Sequence, residues 1–154
     1  MNVCSFFGHR DVTVSDELRA RVTEAIRYAI DKLDCRIFYF GGYGDFDDLC
    51  YEIVTSIRES EPSLNLQRIY CVPLEQRLYK KDRYYTPEKY EDKIYISRSF
   101  NGWYKSIYFR NCSMIDESHS VIFYAEAREN SGAYKAYQYA QKKKDKHVFN
   151  LWQK

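Results

Sequence analysis

The chain has 154 residues, 45% hydrophobic and 30% charged, a balance that supports a single domain with one core and excludes an intrinsically disordered polypeptide. Its formal net charge of +2 lacks the basic excess of a dedicated duplex-DNA binder. No apolar run is long enough to span a bilayer and no signal peptide is read at the start, so a cytoplasmic domain covering residues 1–154, without a membrane partner, is expected.

In chain order, short apolar runs alternate with stretches of helical periodicity. Asn2 to Phe7 reads as a buried strand, and Gly8-His9-Arg10 as the loop that follows it. Ser15 is a suitable N-cap, Asp16 and Glu17 suit a first helical turn, and Leu18, Val22, Ile26, Ala29, Ile30 and Leu33 recur at helical spacing. Arg36 to Phe40 predicts a second strand running into Gly41-Gly42-Tyr43-Gly44. A helix from Asp45 to about Glu59 follows, with Phe46, Leu49, Ile53, Val54 and Ile57 on its apolar face. Glu61-Pro62-Ser63 breaks the pattern, and Gln67 to Val72 is a third strand closed by Pro73.

Leu74 to Asn101 is the least regular stretch, rich in tyrosine and basic at Lys80, Lys81 and Arg83, with one short strand expected from Asp92 to Ser97. Its length is that of a functional lid. Helices are expected from Trp103 to about Met114 and from Ser131-Gly132 to about Lys143. Between and after them lie the strands Ser120 to Tyr124 and His147 to Leu151. This alternation implies an α/β, Rossmann-like, doubly wound fold: a mainly parallel sheet of about five to six strands with helices on both faces. In such sheets ligands bind at the carboxyl ends of the strands, where Gly8 to Arg10, Gly41 to Gly44 and Ala125 to Gly132 all fall.

Four constellations carry possible chemistry. Gly41-Gly42-Tyr43-Gly44 lets backbone approach a ligand, but Asp45, Asp47 and Asp48 follow it and would repel a phosphate. A ribose hydroxyl, a base edge or a cation is the expected guest there; the alternative is a tight turn with an acidic cap. Ser131-Gly132-Ala133 has no following acid and has Lys135 nearby, so a phosphate would be better received there, with Arg128 as a clamp; the alternative is a plain helix start. Arg110, beside Asn111 in mid-helix, needs a partner: a ligand phosphate, or a carboxylate such as Asp45 or Asp48. Gly8, His9 and Arg10 would sit at the central crevice. The five cysteines include no C-x-x-C and the three histidines lie far apart, so disulfides, a metal and a separate cofactor are not expected.

Taken in order, Gly8-His9-Arg10, the run Gly41 to Asp47, Arg110-Asn111 followed by Met114, Asp116 and Ser118, and Ser131-Gly132-Ala133 resemble the motif succession of the SLOG superfamily, and within it its YpsA-like members. The resemblance implies a Rossmann-like fold, a nucleotide-like ligand and self-pairing, for which the aromatic helix from Trp103 to Phe109 offers a surface. SLOG proteins are similar to the LOG enzymes, which hydrolyse the N-glycosidic bond of cytokinin nucleoside monophosphates; other SLOG domains sense nucleotide signals, including ADP-ribose-derived ones in antiviral systems. Arg110-Asn111 matches the place of the LOG Arg-Lys pair, which gives Arg110 a ligand contact by resemblance. In the later LOG glycine segment, Gly132-Ala133 take the Gly-Thr place and Ala136 stands where the Glu is expected. Cleavage needs a carboxylate near the anomeric carbon, and only Asp45, Asp47 or Asp48 is at hand to provide it.

Two functions are therefore expected. The first is binding, by sensing or sequestration, of a nucleotide or nucleotide-derived signal such as an ADP-ribose derivative, in phage–bacterium immunity. The alternative is a LOG-type nucleotide N-glycosidase or phosphoribohydrolase, with Asp45, Asp47, Asp48 and Arg110 as working groups. A protein-interaction or nucleic-acid module, resting on the tyrosine-rich stretch 79–104 and on Lys142-Lys143-Lys144, is a third reading; such a lysine run commonly complements a helix dipole instead.

Overall fold

A computed structural model describes residues 1–72, 86–95 and 103–154. The strands are β1 (Asn2–Gly8), β2 (Cys35–Phe40), β3 (Gln67–Val72), β4 (Asp92–Tyr95), β5 (Ser120–Tyr124) and β6 (His147–Asn150). They form one sheet in the order β4-β3-β2-β1-β5-β6, and every neighbouring pair is parallel. Parallel neighbours need crossovers. The helices α1 (Asp16–Asp31), α2 (Asp45–Ser60), α3 (Trp103–Glu117) and α4 (Gly132–Gln141) lie in them. After β1 the chain builds outward through β2, β3 and β4, then returns through α3 to the other side of β1. That reversal puts the switch point between β1 and β5 and opens a crevice at their carboxyl ends.

The alternation along β1 divides the core. Cys4 and Phe6 point into one apolar layer, built with Leu18, Val22 and Ile26 of α1 and Phe46, Leu49 and Ile53 of α2. Val3 and Phe7 point into the other, with Met114 and Ile115 of α3 and Ala136 and Ala140 of α4. Burying a side chain as large as Phe6 contributes roughly 1.5–3 kcal/mol, and the small Ala136 and Ala140 let α4 lie close to the sheet. Buried polar groups are paired: Ser5 Oγ lies 2.5 Å from Ser118 Oγ, which donates to the Met114 carbonyl at 2.6 Å. That contact ties the end of α3 to the middle of β1. All five cysteines are free and buried.

Ser15 caps α1 as expected, its Oγ accepting the Leu18 N–H at 3.1 Å. α3 runs one turn further than its periodicity implies, to Glu117, because Met114 and Ile115 are fully buried and Ser118 provides the stop. α4 ends at Gln141 rather than Lys143. The strand expected over 92–97 is seen as Asp92–Tyr95. Most of the irregular, tyrosine-rich stretch read as a lid falls at 73–85 and 96–102, outside the described residues. Among the described residues no helix is long and apolar enough to cross a membrane.

Candidate functional site

A cleft of about 1010 Å³ opens at the carboxyl ends of the central strands. It gathers residues that the sequence scatters between positions 8 and 132: Gly8, His9 and Arg10 after β1; Gly41, Gly42 and Tyr43 after β2; Arg110 and Asn111 on α3; Ser131 and Gly132 at the start of α4. Three of the expected site residues, Gly44, Asp45 and Asp48, do not line it. Asp47 and Tyr70, among other residues not singled out as ligand contacts, do line it.

Arg110 is 6% exposed, and its guanidinium lies at the carboxyl ends of β2 and β3. Nη1 donates to the carbonyls of Gly41 and Cys71, each at 3.3 Å, and Nε donates to Asn111 Oδ1 at 3.0 Å. The carboxylate partner expected from Asp45 or Asp48 is thus replaced by main-chain oxygens at the ends of β2 and β3. Burial pulls the Arg110 pKa down, opposed chiefly by Cys71 and then by Asp47; a guanidinium keeps its charge under such pressure. Nη2 makes no hydrogen bond among the described residues and packs against Gly41, where a Cβ would stand 3.0 Å from it.

The three aspartates at the start of α2 have separate tasks. Asp45 Oδ2 accepts the Val12 N–H at 3.0 Å, and its own N–H donates to the Arg10 carbonyl at 2.7 Å. This clips the loop after β1 to the helix start and turns the carboxylate away from the cleft. Asp48 is exposed and faces Lys89. Asp47 turns inward and is 7% exposed; Oδ2 accepts the Gly42 N–H at 2.7 Å. Burial pushes its pKa up to about 7, against the opposing pull of Gly42 N–H and then Arg110. Gly44 makes this packing possible. Its φ is +103, and a Cβ there would stand 2.8 Å from Arg10 Cα. Above it the Arg10 guanidinium lies over the Tyr43 ring, 4.3 Å from its centroid, at the cleft wall.

The start of α4 is built differently. Ser131 caps it, its Oγ accepting the Tyr134 N–H at 3.1 Å. His9 holds the preceding loop: its Nε2 accepts the Glu126 N–H at 2.7 Å, which places the ring proton on Nδ1, 3.5 Å from Ser131 Oγ. Burial lowers the His9 pKa, aided by Arg128 and opposed by Glu126. No acidic residue stands in the first turn of α4, and a Cβ at Gly132 would meet nothing within 4 Å. The first N–H groups and the positive end of the helix dipole therefore face the cleft. Arg128, expected as a clamp, bridges to Glu126 at 2.7 Å and remains half-exposed at the rim.

Groups that could hold a metal are absent among the described residues. The arrangement can receive an anion at α4 and Arg110, and it can offer a proton from Asp47 near neutral pH.

No protein-family model matches the sequence, and no curated protein does. Solved structures do share its fold. DNA processing protein A (DprA) from Streptococcus pneumoniae superposes with a TM-score of 0.55 over 97% of this chain, at 14% identity. This chain spans about half (50%) of the length of DprA. The structural-genomics target TM1055 gives a TM-score of 0.54 over 91% of this chain and 68% of its own, at 12% identity. Together with the six parallel strands and four helices among the described residues, these likenesses show a Rossmann-like α/β fold.

Proposed function

We propose that the chain binds a nucleotide or nucleotide-derived signal in this cleft, with a phosphate at the start of α4 and beside Arg110, and with ribose or base against Gly41, Gly42 and Tyr43. One observation carries the reading: a helix N-terminus with no acid in its first turn and a buried arginine with no carboxylate bridge line the same cleft. Each alone is common; together they form a receptor for a compact anion. In the sequestering version of this proposal, the ligand is an ADP-ribose derivative of the phage–bacterium conflict, held without turnover. Self-association through the outer side of α3, where Phe109 is 38% exposed, belongs to the same proposal and is read by sedimentation.

Calorimetry with AMP, ADP-ribose, cyclic ADP-ribose and NAD tests it, on the natural chain and on Gly132→Asp. The space at Gly132 admits the new side chain, and an acid in a first helical turn adds about 0.3–1 kcal/mol of stability. The expected result is a protein at least as stable that has lost tenfold or more in affinity. Equal affinity in the variant, or no binding of any of the four by the natural chain, removes the reading.

A second reading has its own support. A carboxyl with a pKa of about 7 in a cleft wall is suited to general acid catalysis, so Asp47 would be the proton donor of an N-glycosidase. Release of free base from nucleoside monophosphates, abolished in Asp47→Asn, is the signature. Ligand recovered intact from the protein would instead favour sequestration.

A further inference from the structure

The cleft does not end at the start of α4. Gly132, Lys135, Tyr139 and Lys142 all line it; their spacing of three, four and three residues places them on one helical face. At 1.5 Å per residue, the ten steps from Gly132 to Lys142 extend the lining by about 15 Å. Across from this face α3 contributes Tyr108. Its hydroxyl is pushed up by its bond to Cys112, by burial and, more weakly, by Tyr139, so the two phenols are neighbours across the groove. The volume of about 1010 Å³ stands at the upper end of the roughly 300–1,000 Å³ of small-molecule sites.

Two lysines on this face of α4 are not neutralised from within. Lys143 is bridged to Asp116 at 3.4 Å and stacks over Tyr139. Lys135 and Lys142 have no carboxylate partner among the described residues. One anion receptor thus lies at the head of the groove, at the start of α4. A second unpaired cation lies at its foot, with an amphipathic tyrosine wall between them. A mononucleotide would engage only the head.

We infer that the ligand is an extended, dinucleotide-sized molecule carrying a second anionic group, separate from the phosphate at the head, which reaches the Lys142 end of the α3–α4 groove. This inference rests on the binding reading above and adds the class of ligand.

The test uses isothermal titration of AMP, NAD, NADP and nicotinic acid adenine dinucleotide. The last two keep the NAD skeleton and add an anionic group, a phosphate or a carboxylate, at opposite ends of it. One of them is expected to bind about tenfold more tightly than NAD. Lys142→Gln, an exposed position at the end of α4, should abolish that preference and leave AMP affinity unchanged. If NADP and the nicotinic acid dinucleotide bind no better than NAD, or their advantage survives Lys142→Gln, the second anion subsite is overturned while the mononucleotide reading stands. AMP binding with no binding of any dinucleotide overturns it in the same way. Failure of all four ligands removes both.

Discussion

Two helices begin at the rim of the same cleft, and they are built in opposite ways. The start of α2 follows three glycines and resembles a ligand loop, yet its acids and its first N–H are tied to the neighbouring loops. Asp47 holds the Gly42 N–H, Asp45 holds Val12, and the Arg10 carbonyl holds the Asp45 N–H. The start of α4 is a plain Ser-Gly-Ala with one capping bond and no acid. The glycine-rich turn is scaffolding that holds Arg110 through the Gly41 carbonyl and carries three acids; the less distinctive turn brings its first N–H groups to the cleft with no acid beside them. Glycine content marks where backbone packs closely, and free N–H groups mark where an anion can enter.

The contrast breaks first at the glycines. Gly44→Ala forces an L side chain into a positive φ against Arg10 Cα and should cost on the order of 3 kcal/mol in denaturant unfolding. Gly132→Ala meets open space and should be neutral or gain up to about 1 kcal/mol. Similar losses at both positions would erase the distinction.

A pH titration of stability should separate the two sides next. Asp47 is raised from its ordinary 3.8 to about 7, so between these values the native chain keeps a proton that the unfolded chain releases. Its contribution to stability therefore falls as pH rises through this window, by at most about 1.4 kcal/mol per unit. Asp47→Asn should flatten that slope. His9 works the other way. Its folded pKa lies below 6.5, so its contribution is complete above 6.5 and is lost as pH falls through the folded value, when protonated Nε2 can no longer accept the Glu126 N–H. His9→Gln should remove this acid-side loss. A slope of the same sign for both residues would contradict the geometry. The smallest expected effect is at the cap: Ser131→Ala should cost about 1 kcal/mol, measured by thermal unfolding.

Local signals made much of the fold legible. The Ser15 cap, the strand over Gln67–Val72 and the helix from Asp45 all lie within one or two turns of the residues that specify them. The cleft was legible as a set of strand ends, because parallel sheets place their loops there. The partners of Arg110 were not, since the Gly41 and Cys71 carbonyls lie 69 and 39 residues away and any main chain offers such oxygens. Asp47 was hidden among three aspartates, and helical phase does not single it out: it stands three and seven residues before the buried Cys50 and Val54, and Asp45 stands four and eight before the buried Leu49 and Ile53. Tyr70 carried no mark either; it is one more aromatic near the end of an apolar strand.

The buried thiols have a practical consequence. Each of Cys4, Cys35, Cys50, Cys71 and Cys112 lies beneath the surface, and burial raises the pKa of every one. Alkylating reagents attack thiolate that they can reach, so the folded chain should resist them and modification should follow its opening. The rate at which iodoacetamide is incorporated, mapped cysteine by cysteine, would then act as a clock for unfolding, with Cys4 and Cys50 in one layer and Cys71 in the other timing the two halves of the core separately.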